Sequence, residues 1–150
     1  MIPEVRVERE IAAPLEVVFD AFTSAGGQEA LYGQDDPGWI VETACELRVG
    51  GAWTITFGPS RSHLYRHRHV FEAIERPHRL LVATTEHRPD GRRLDFGTEF
   101  LFAARDGSTL LTMIQTGLET AELREEHGRG VPNALARLDR AIRASARARP

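Results

Sequence analysis

Between Trp39 and Thr116 the sequence passes through six strand-like segments, at 40–49, 52–58, 63–75, 79–87, 94–104 and 109–116, joined only by short turns. The breaks read GG at 50–51, GPSRS at 58–62, RPH at 76–78, RPDGR at 88–92 and RDGS at 105–108. Parallel neighbours need crossovers of roughly a dozen residues, and none of these breaks has the length, so one antiparallel meander is predicted. Asp90-Gly91, Asp106-Gly107 and Gly50-Gly51 supply residues that accept the positive φ of tight turns. After Gly50-Gly51 the chain should run back beside the preceding segment with Trp53, Ile55 and Phe57 on one face.

A sheet of this kind has an apolar face that something must cover. Residues 4–11, EVRVEREI, alternate as a further strand, which makes seven. Pro14 pre-sets a first helical turn, and LEVVFDAF puts Val18, Ala21 and Phe22 on one helical face. A second short helix is predicted over 27–32, followed by an exposed loop at 33–38, GQDDPG. The cover comes last. GVPNALARLDRAIRASARAR repeats Val131, Leu135, Leu138, Ile142 and Ser145 at helical spacing, with Pro132 near its start. The expected fold is therefore α+β, with a curved seven-stranded antiparallel sheet wrapped around a long C-terminal helix and two short helices after strand 1.

At 150 residues the chain suits one domain, 1–150, with its last residues, RARP, frayed. A charged fraction of 27% and a hydrophobic fraction of 41% argue against disorder. No apolar run approaches the ~18 residues that cross a bilayer, and the charged start MIPEVRVEREI has no signal-peptide core. Cys45 is the single cysteine. It allows no intramolecular disulfide, suits a cytoplasmic setting and reads as a small core residue rather than a nucleophile. A net charge of −3 gives no general attraction to nucleic acid. All 19 basic residues are arginine. Those from Arg137 onward complement the negative end of the last helix.

Five stretches in order resemble the activator-of-Hsp90-ATPase/CalC-like branch of the START/Bet v 1 (SRPBCC) superfamily. IAAPLEVVFDAFTSA is similar to its "APxxxVFxAxT" opening and LRVGGAWTITF to its "RVGGxW" hairpin. VFEAIERPHRLLVATT, GSTLLTMIQTGL and GRGVPNALARLD resemble its later strands and closing helix. The chain departs from the pattern in three places. ALYGQ, with Tyr32, stands where Trp-Trp-Gly is frequent; Arg129 replaces a tryptophan near the last helix; His69 replaces a glycine. The resemblance implies a helix-grip fold with a cavity for a small hydrophobic, lipid- or polyketide-like molecule between sheet and helix. It leaves two alternatives open: an enzyme like the polyketide cyclase/aromatase or hydrolase-like members, and an Hsp90 co-chaperone-like domain. No cofactor and no membrane or nucleic-acid partner is expected, and a homodimer is possible.

The expected ligand contacts are Tyr32, Trp39, Trp53, Phe57, Tyr65, His67, His69, Phe71, Phe100, Phe102, Leu135 and Leu138. Ile55, Phe96 and Ile114 could share the covered face. The polar core of the set is HLYRHRH at 63–69, where His63, Tyr65, His67 and His69 share one strand face and His67 and His69 lie about 7 Å apart. No companion cysteine pair or aimed carboxylate accompanies them, so no metal site is expected. Neutral histidines at a pocket can donate, accept or shuttle a proton, which makes His67 and His69 the candidates for acid–base catalysis. From His69 to Glu75 the apolar parity changes (Phe71, then Ile74), which predicts a bulge, and one bulge between 63 and 74 would reverse the facing of His67 and His69. Asp95 and Glu99 fall opposite the phenylalanines on the wet face, and Glu72 and Glu86 are read the same way. No G-x-S-x-G, phosphate loop or dinucleotide fingerprint is present.

Overall fold

A computed structural model describes residues 4–33 and 37–148; the middle of the expected 33–38 loop and the end of the RARP tail lie outside the described residues. Seven strands, β1 (Glu4–Ile11), β2 (Ile40–Cys45), β3 (Ala52–Ser60), β4 (His63–Glu75), β5 (Arg79–His87), β6 (Arg93–Arg105) and β7 (Ser108–Thr116), form one antiparallel sheet. Its order is β1-β7-β6-β5-β4-β3-β2, a meander closed on one side by the N-terminal strand. The short helices α1 (Leu15–Phe22) and α2 (Ala25–Tyr32) follow β1, and α3 (Ala121–Ala148) ends the described chain.

Three expectations change in detail. First, β2 stops at Cys45, and residues 46–51 form the connection to β3. Gly50 takes φ +82°, and a Cβ on Gly51 would sit 2.4 Å from the Glu46 carbonyl oxygen, which explains why two glycines interrupt the strand pattern. The loop pairs with β4 through Gly50 N–H to Phe71 O at 2.9 Å and Phe71 N–H to Gly51 O at 3.0 Å. Second, Cys45 is exposed rather than packed, because β2 is the sheet edge and no helix covers its end. Third, α3 begins at Ala121 and not at residue 130. Thr120 Oγ1 accepts from Leu123 N–H at 3.1 Å and caps it. Pro132 thus lies inside the helix, where it removes one backbone hydrogen bond.

One end of the space between sheet and α3 is solid. Val18, Phe19 and Phe22 of α1 pack with Phe71, Leu80, Val82, Phe100, Phe102, Leu111, Leu135, Leu138 and Ile142. Phe22 meets Trp53, Phe100 and Phe102 with ring centroids 5.3, 4.7 and 5.5 Å away. Two arginines of α3 serve packing. Arg137 donates to the carbonyls of Ala30 and Leu31 at the end of α2, and Arg143 reaches the buried Asp139 at 2.9 Å. Asp139 also receives Arg9 of β1 at 2.8 Å, so it ties the helix to the sheet edge.

Candidate functional site

The other end of that space is a cavity of about 530 Å³. Its apolar wall comes from Phe22 of α1, Leu31 of α2, Trp53 and Phe57 of β3, Phe96 and Phe100 of β6, Met113 of β7, and Val131 and Ala134 of α3. The strand pleat sets a polar patch beside Trp53 and Phe57 on the same sheet face, from Tyr65, His67 and His69 on β4 and Glu86 and Arg88 at the end of β5. Tyr32, Trp39, Gln115, Glu126 and His127 add to that side, and Gln28, Asn133, Arg137 and Arg140 also line the cavity.

Register decides this arrangement. His67 pairs with Glu86 and His69 with Thr84 across β4 and β5. The bulge foreseen in β4 falls between Phe71 and Ala73, beyond both histidines, so Tyr65, His67, His69 and Phe71 keep one face. His63, at the strand start, is exposed and stays outside.

These side chains form a continuous hydrogen-bonded chain. Glu86 Oε1 lies 2.6 Å from His67 Nε2, and His67 Nδ1 lies 3.1 Å from the Tyr32 hydroxyl. The same hydroxyl is 3.3 Å from His69 Nε2, and His69 Nδ1 is 2.8 Å from Thr84 Oγ1, itself 3.2 Å from Thr98 Oγ1. Arg88 donates at 2.7 Å to Glu86 and at 2.7 Å to Glu126 of α3, and its guanidinium lies 5.5 Å from the Tyr65 ring centroid. It therefore joins the hairpin end to the start of α3. His127 Nδ1 contacts Gln115 Oε1 at 3.0 Å. Trp39 donates from its indole to the Tyr32 carbonyl at 2.8 Å, which fixes the end of α2.

Burial disfavours a charged Glu86, but the hydrogen bond from His67 and the charges of His67, His127 and Arg88 outweigh it and bring its pKa down to about 2. Burial lowers the pKa of His69 to about 3, with His67 adding to the effect and Glu86 opposing it, so this ring is neutral. His127 is also lowered, mainly by burial. Burial, then the Glu86 charge, pushes the Tyr32 phenol well above its ordinary value. Arg88 loses from burial and gains more from Glu126 and Glu86, so it stays charged. The site thus holds an ionised carboxylate aimed at an imidazole, a phenol between two imidazoles, and oily side chains around them. Among the described residues no group of three or more His, Cys, Asp or Glu side chains is set to hold a metal ion. The imidazole nitrogens of His67 and His69 instead face a carboxylate, a phenol and a threonine.

The residues named from sequence divide in two. Tyr32, Trp39, Trp53, Phe57, Tyr65, His67, His69 and Phe100 line the cavity. Phe71, Phe102, Leu135 and Leu138 sit in the packed core instead, because α1 lies over that end of the sheet. Ile114 belongs to the outer face, where it pairs with Glu99, and Met113 and Gln115 face inward in its place. Asp95 and Glu99 are outward as expected, held by Arg93 and Arg79. Glu86 is the correction with most chemistry in it. Read as a wet-face acid, it is 3% exposed and turned into the cavity. Its parity with Leu80 and Val82 was the available signal. His127 was hidden by Gly128, Gly130 and Pro132, which disguised the first turns of α3.

The comparisons with known proteins agree with this architecture. No curated protein matches the sequence. A protein from Mycobacterium smegmatis, Ms6760, superposes with a TM-score of 0.76 at 20% identity, over 98% of this chain and 92% of its own. One from Rhizobium leguminosarum does so with a TM-score of 0.78 at 16% identity, over 96% of each chain. DynU16, from the dynemicin biosynthetic locus, gives a TM-score of 0.73 at 17% identity over 95% of this chain and 48% of its own. At such identities the likeness is one of fold. No described helix is long and apolar enough to cross a membrane. The sequence family of activator of Hsp90 ATPase homolog 1-like proteins matches residues 12–143, and the chain belongs to that family.

Proposed function

We propose that this protein binds a small hydrophobic, lipid- or polyketide-like molecule in the space between the sheet and α3. The observation that carries this is the cavity itself: at 530 Å³ it has the size of a drug-sized ligand site, roughly 300–1,000 Å³, and its wall is largely aromatic and aliphatic with a few convergent polar groups. Desolvation of an apolar body supplies affinity, and the chain running from Glu86 to His69 orients one polar end. The origin of DynU16 in a biosynthetic locus is in keeping with a small organic ligand. The test is a panel of lipids and aromatic polyketides followed by thermal unfolding and by the fluorescence of Trp39 and Trp53. A ligand present at a hundred times its dissociation constant should stabilise the fold by about 2.7 kcal/mol. A panel that moves neither signal removes the proposal.

One observation favours a second reading, an acid–base enzyme on the same frame. The Glu86 carboxylate holds His67 with Nε2 toward itself and Nδ1 toward the Tyr32 hydroxyl, an arrangement in which His67 can take a proton while Glu86 stabilises the resulting imidazolium. Replacing His67 or His69 by Gln separates the two. An enzyme loses turnover and keeps much of its affinity, whereas a carrier changes only in affinity.

A further inference from the structure

Resting on the ligand-binding reading, we infer that the polar end of the ligand is a neutral hydrogen-bond donor, a phenol or an alcohol, and that the Tyr32 hydroxyl oxygen receives it. The inference comes from counting protons along the chain. Glu86 is ion-paired with Arg88 at 2.7 Å and as a carboxylate only accepts, so His67 Nε2 carries a hydrogen. With His67 neutral, its Nδ1 is bare, and the Tyr32 O–H donates to it. The Tyr32 oxygen then accepts from His69 Nε2–H, His69 Nδ1 accepts from Thr84, and Thr84 accepts from Thr98. Every link points toward Glu86 and every available proton is used.

A second proton on His67 reverses every link beyond it, His69 then carrying its hydrogen on Nδ1 and donating to Thr84, which turns to Thr98. The Nδ1–H of His67 donates to Tyr32, whose hydroxyl donates to His69. In both arrangements the single proton of Tyr32 is held by an imidazole, and what the oxygen still offers the cavity is a lone pair. A ketone placed there sets oxygen against oxygen and leaves a buried acceptor unpaired, a loss of about 1–3 kcal/mol. A hydroxyl closes the contact. Glu86 and Arg88 answer each other at 2.7 Å, and Arg88 also holds Glu126 at 2.7 Å, so the charges beside the chain are already paired and a neutral group suits that end. Trp53 also lines the cavity, and its buried Nε1–H has no partner among the described residues. That donor takes the oxygen of a ketone or of an alcohol alike, so the choice between them falls to the Tyr32 oxygen.

Three tricyclic probes of one shape test this by calorimetry on the intact chain: fluorene, 9-fluorenone and 9-hydroxyfluorene. The alcohol should bind about tenfold or more tighter than the ketone, the equivalent of about 1.4 kcal/mol. In Tyr32→Phe that preference should shrink to about twofold or less while the affinity for fluorene is kept, since the ring remains and only the hydroxyl is removed. The probe series on the unaltered chain decides the matter even where Tyr32→Phe folds poorly. A ketone that binds as well as the alcohol overturns the inference and leaves the hydrophobic cavity standing. If none of the three binds, both fall.

Discussion

The two ends of the space between the sheet and α3 share the same strands and the same helix, yet one is filled and the other is open. At the filled end Phe71 faces Val82 across β4 and β5, Leu80 faces Phe100, and Phe102 faces Leu111. Two residues further along the same strands, in the same direction, the pairs become His69 with Thr84 and then His67 with Glu86. On β7 Leu111 gives way to Met113 and Gln115, and on α3 Leu138 and Leu135 give way to Val131 and His127 toward the same end. Polarity therefore rises on β4, β5, β7 and α3 toward that end, while β3 and β6 stay aromatic with Phe57 and Phe96. The lesson is that the cavity is specified, because β4 and β5 exchange core side chains for hydrogen-bonding ones beyond the row that the phenyl rings of α1 cover.

The largest expected effect breaks the filled end. Phe102 is 2% exposed, and its ring lies 5.2 Å from that of Phe19. Phe102→Ala should cost about 3–5 kcal/mol in urea unfolding, since the deleted ring leaves a void that close-packed neighbours cannot close. A cost under about 1 kcal/mol would mean that the end described as solid is not.

Next comes the tie between the two layers. Asp139, 1% exposed, accepts from Arg9 on β1 and from Arg143 one helical turn on. Both guanidiniums reach solvent, so removing the carboxylate strands no buried charge, and Asp139→Ala should cost about 1.5–3 kcal/mol, the value of charged hydrogen bonds. Double-mutant cycles with Arg9→Ala and Arg143→Ala check it; additive effects would show that no coupling exists.

How much of this was legible in the sequence differs between the ends in the same way. The meander followed from turn chemistry, and the shared face of Tyr65, His67 and His69 followed from the pleat, because parity is local. The partnership of His67 with Glu86 did not, because it depends on the register of two strands and on which face a distant helix covers. The stretch LLVATTEH contains the signal, Glu86 in phase with Leu80 and Val82, but an acid at the end of an apolar run reads as solvated unless a cavity is already in view. Tyr32 and His69 stood out as departures from the family pattern. Their contact at 3.3 Å joins α2 to β4, and no local rule brings those two elements together. The lining was overextended to Phe71, Phe102, Leu135 and Leu138 because alternation marks the inner face of a strand and says nothing of where along it the packing stops.

The polar end should respond to pH where the packed end cannot. His69 has a folded pKa of about 3 against an ordinary 6.5, so the unfolded chain takes up a proton that the folded chain refuses. Stability from this group is complete above about 6.5 and is lost as pH falls toward 3; Glu86, lowered from 4.5 to about 2, adds a loss of the same sign below 4.5. The slope approaches about 1.4 kcal/mol per pH unit for each proton. Urea unfolding at pH 7, 6, 5 and 4 measures it, and His69→Gln should flatten the upper part of the curve. Equal stability at pH 7 and pH 5 would show that the imidazole is not buried as described.

The smallest effect sharpens the comparison most. Met113 is half-buried on β7, one row beyond Leu111, and lines the cavity. Truncating a buried methionine in a packed core costs about 2–5 kcal/mol, and much of that is the void left among neighbours that cannot move in to fill it. Here the terminal atoms border open space, so Met113→Ala loses transfer energy and creates no new boundary, and the expected cost is below about 1 kcal/mol. The same change removes part of the wall on which a ligand rests, so the affinity for fluorene should fall several-fold while the unfolding midpoint barely moves. Stability and affinity then separate at the open end, whereas Phe102→Ala makes stability the leading loss. If Met113→Ala were to cost as much as Phe102→Ala, the row beyond Leu111 would be packed like the row before it, and the distinction between the two ends would disappear.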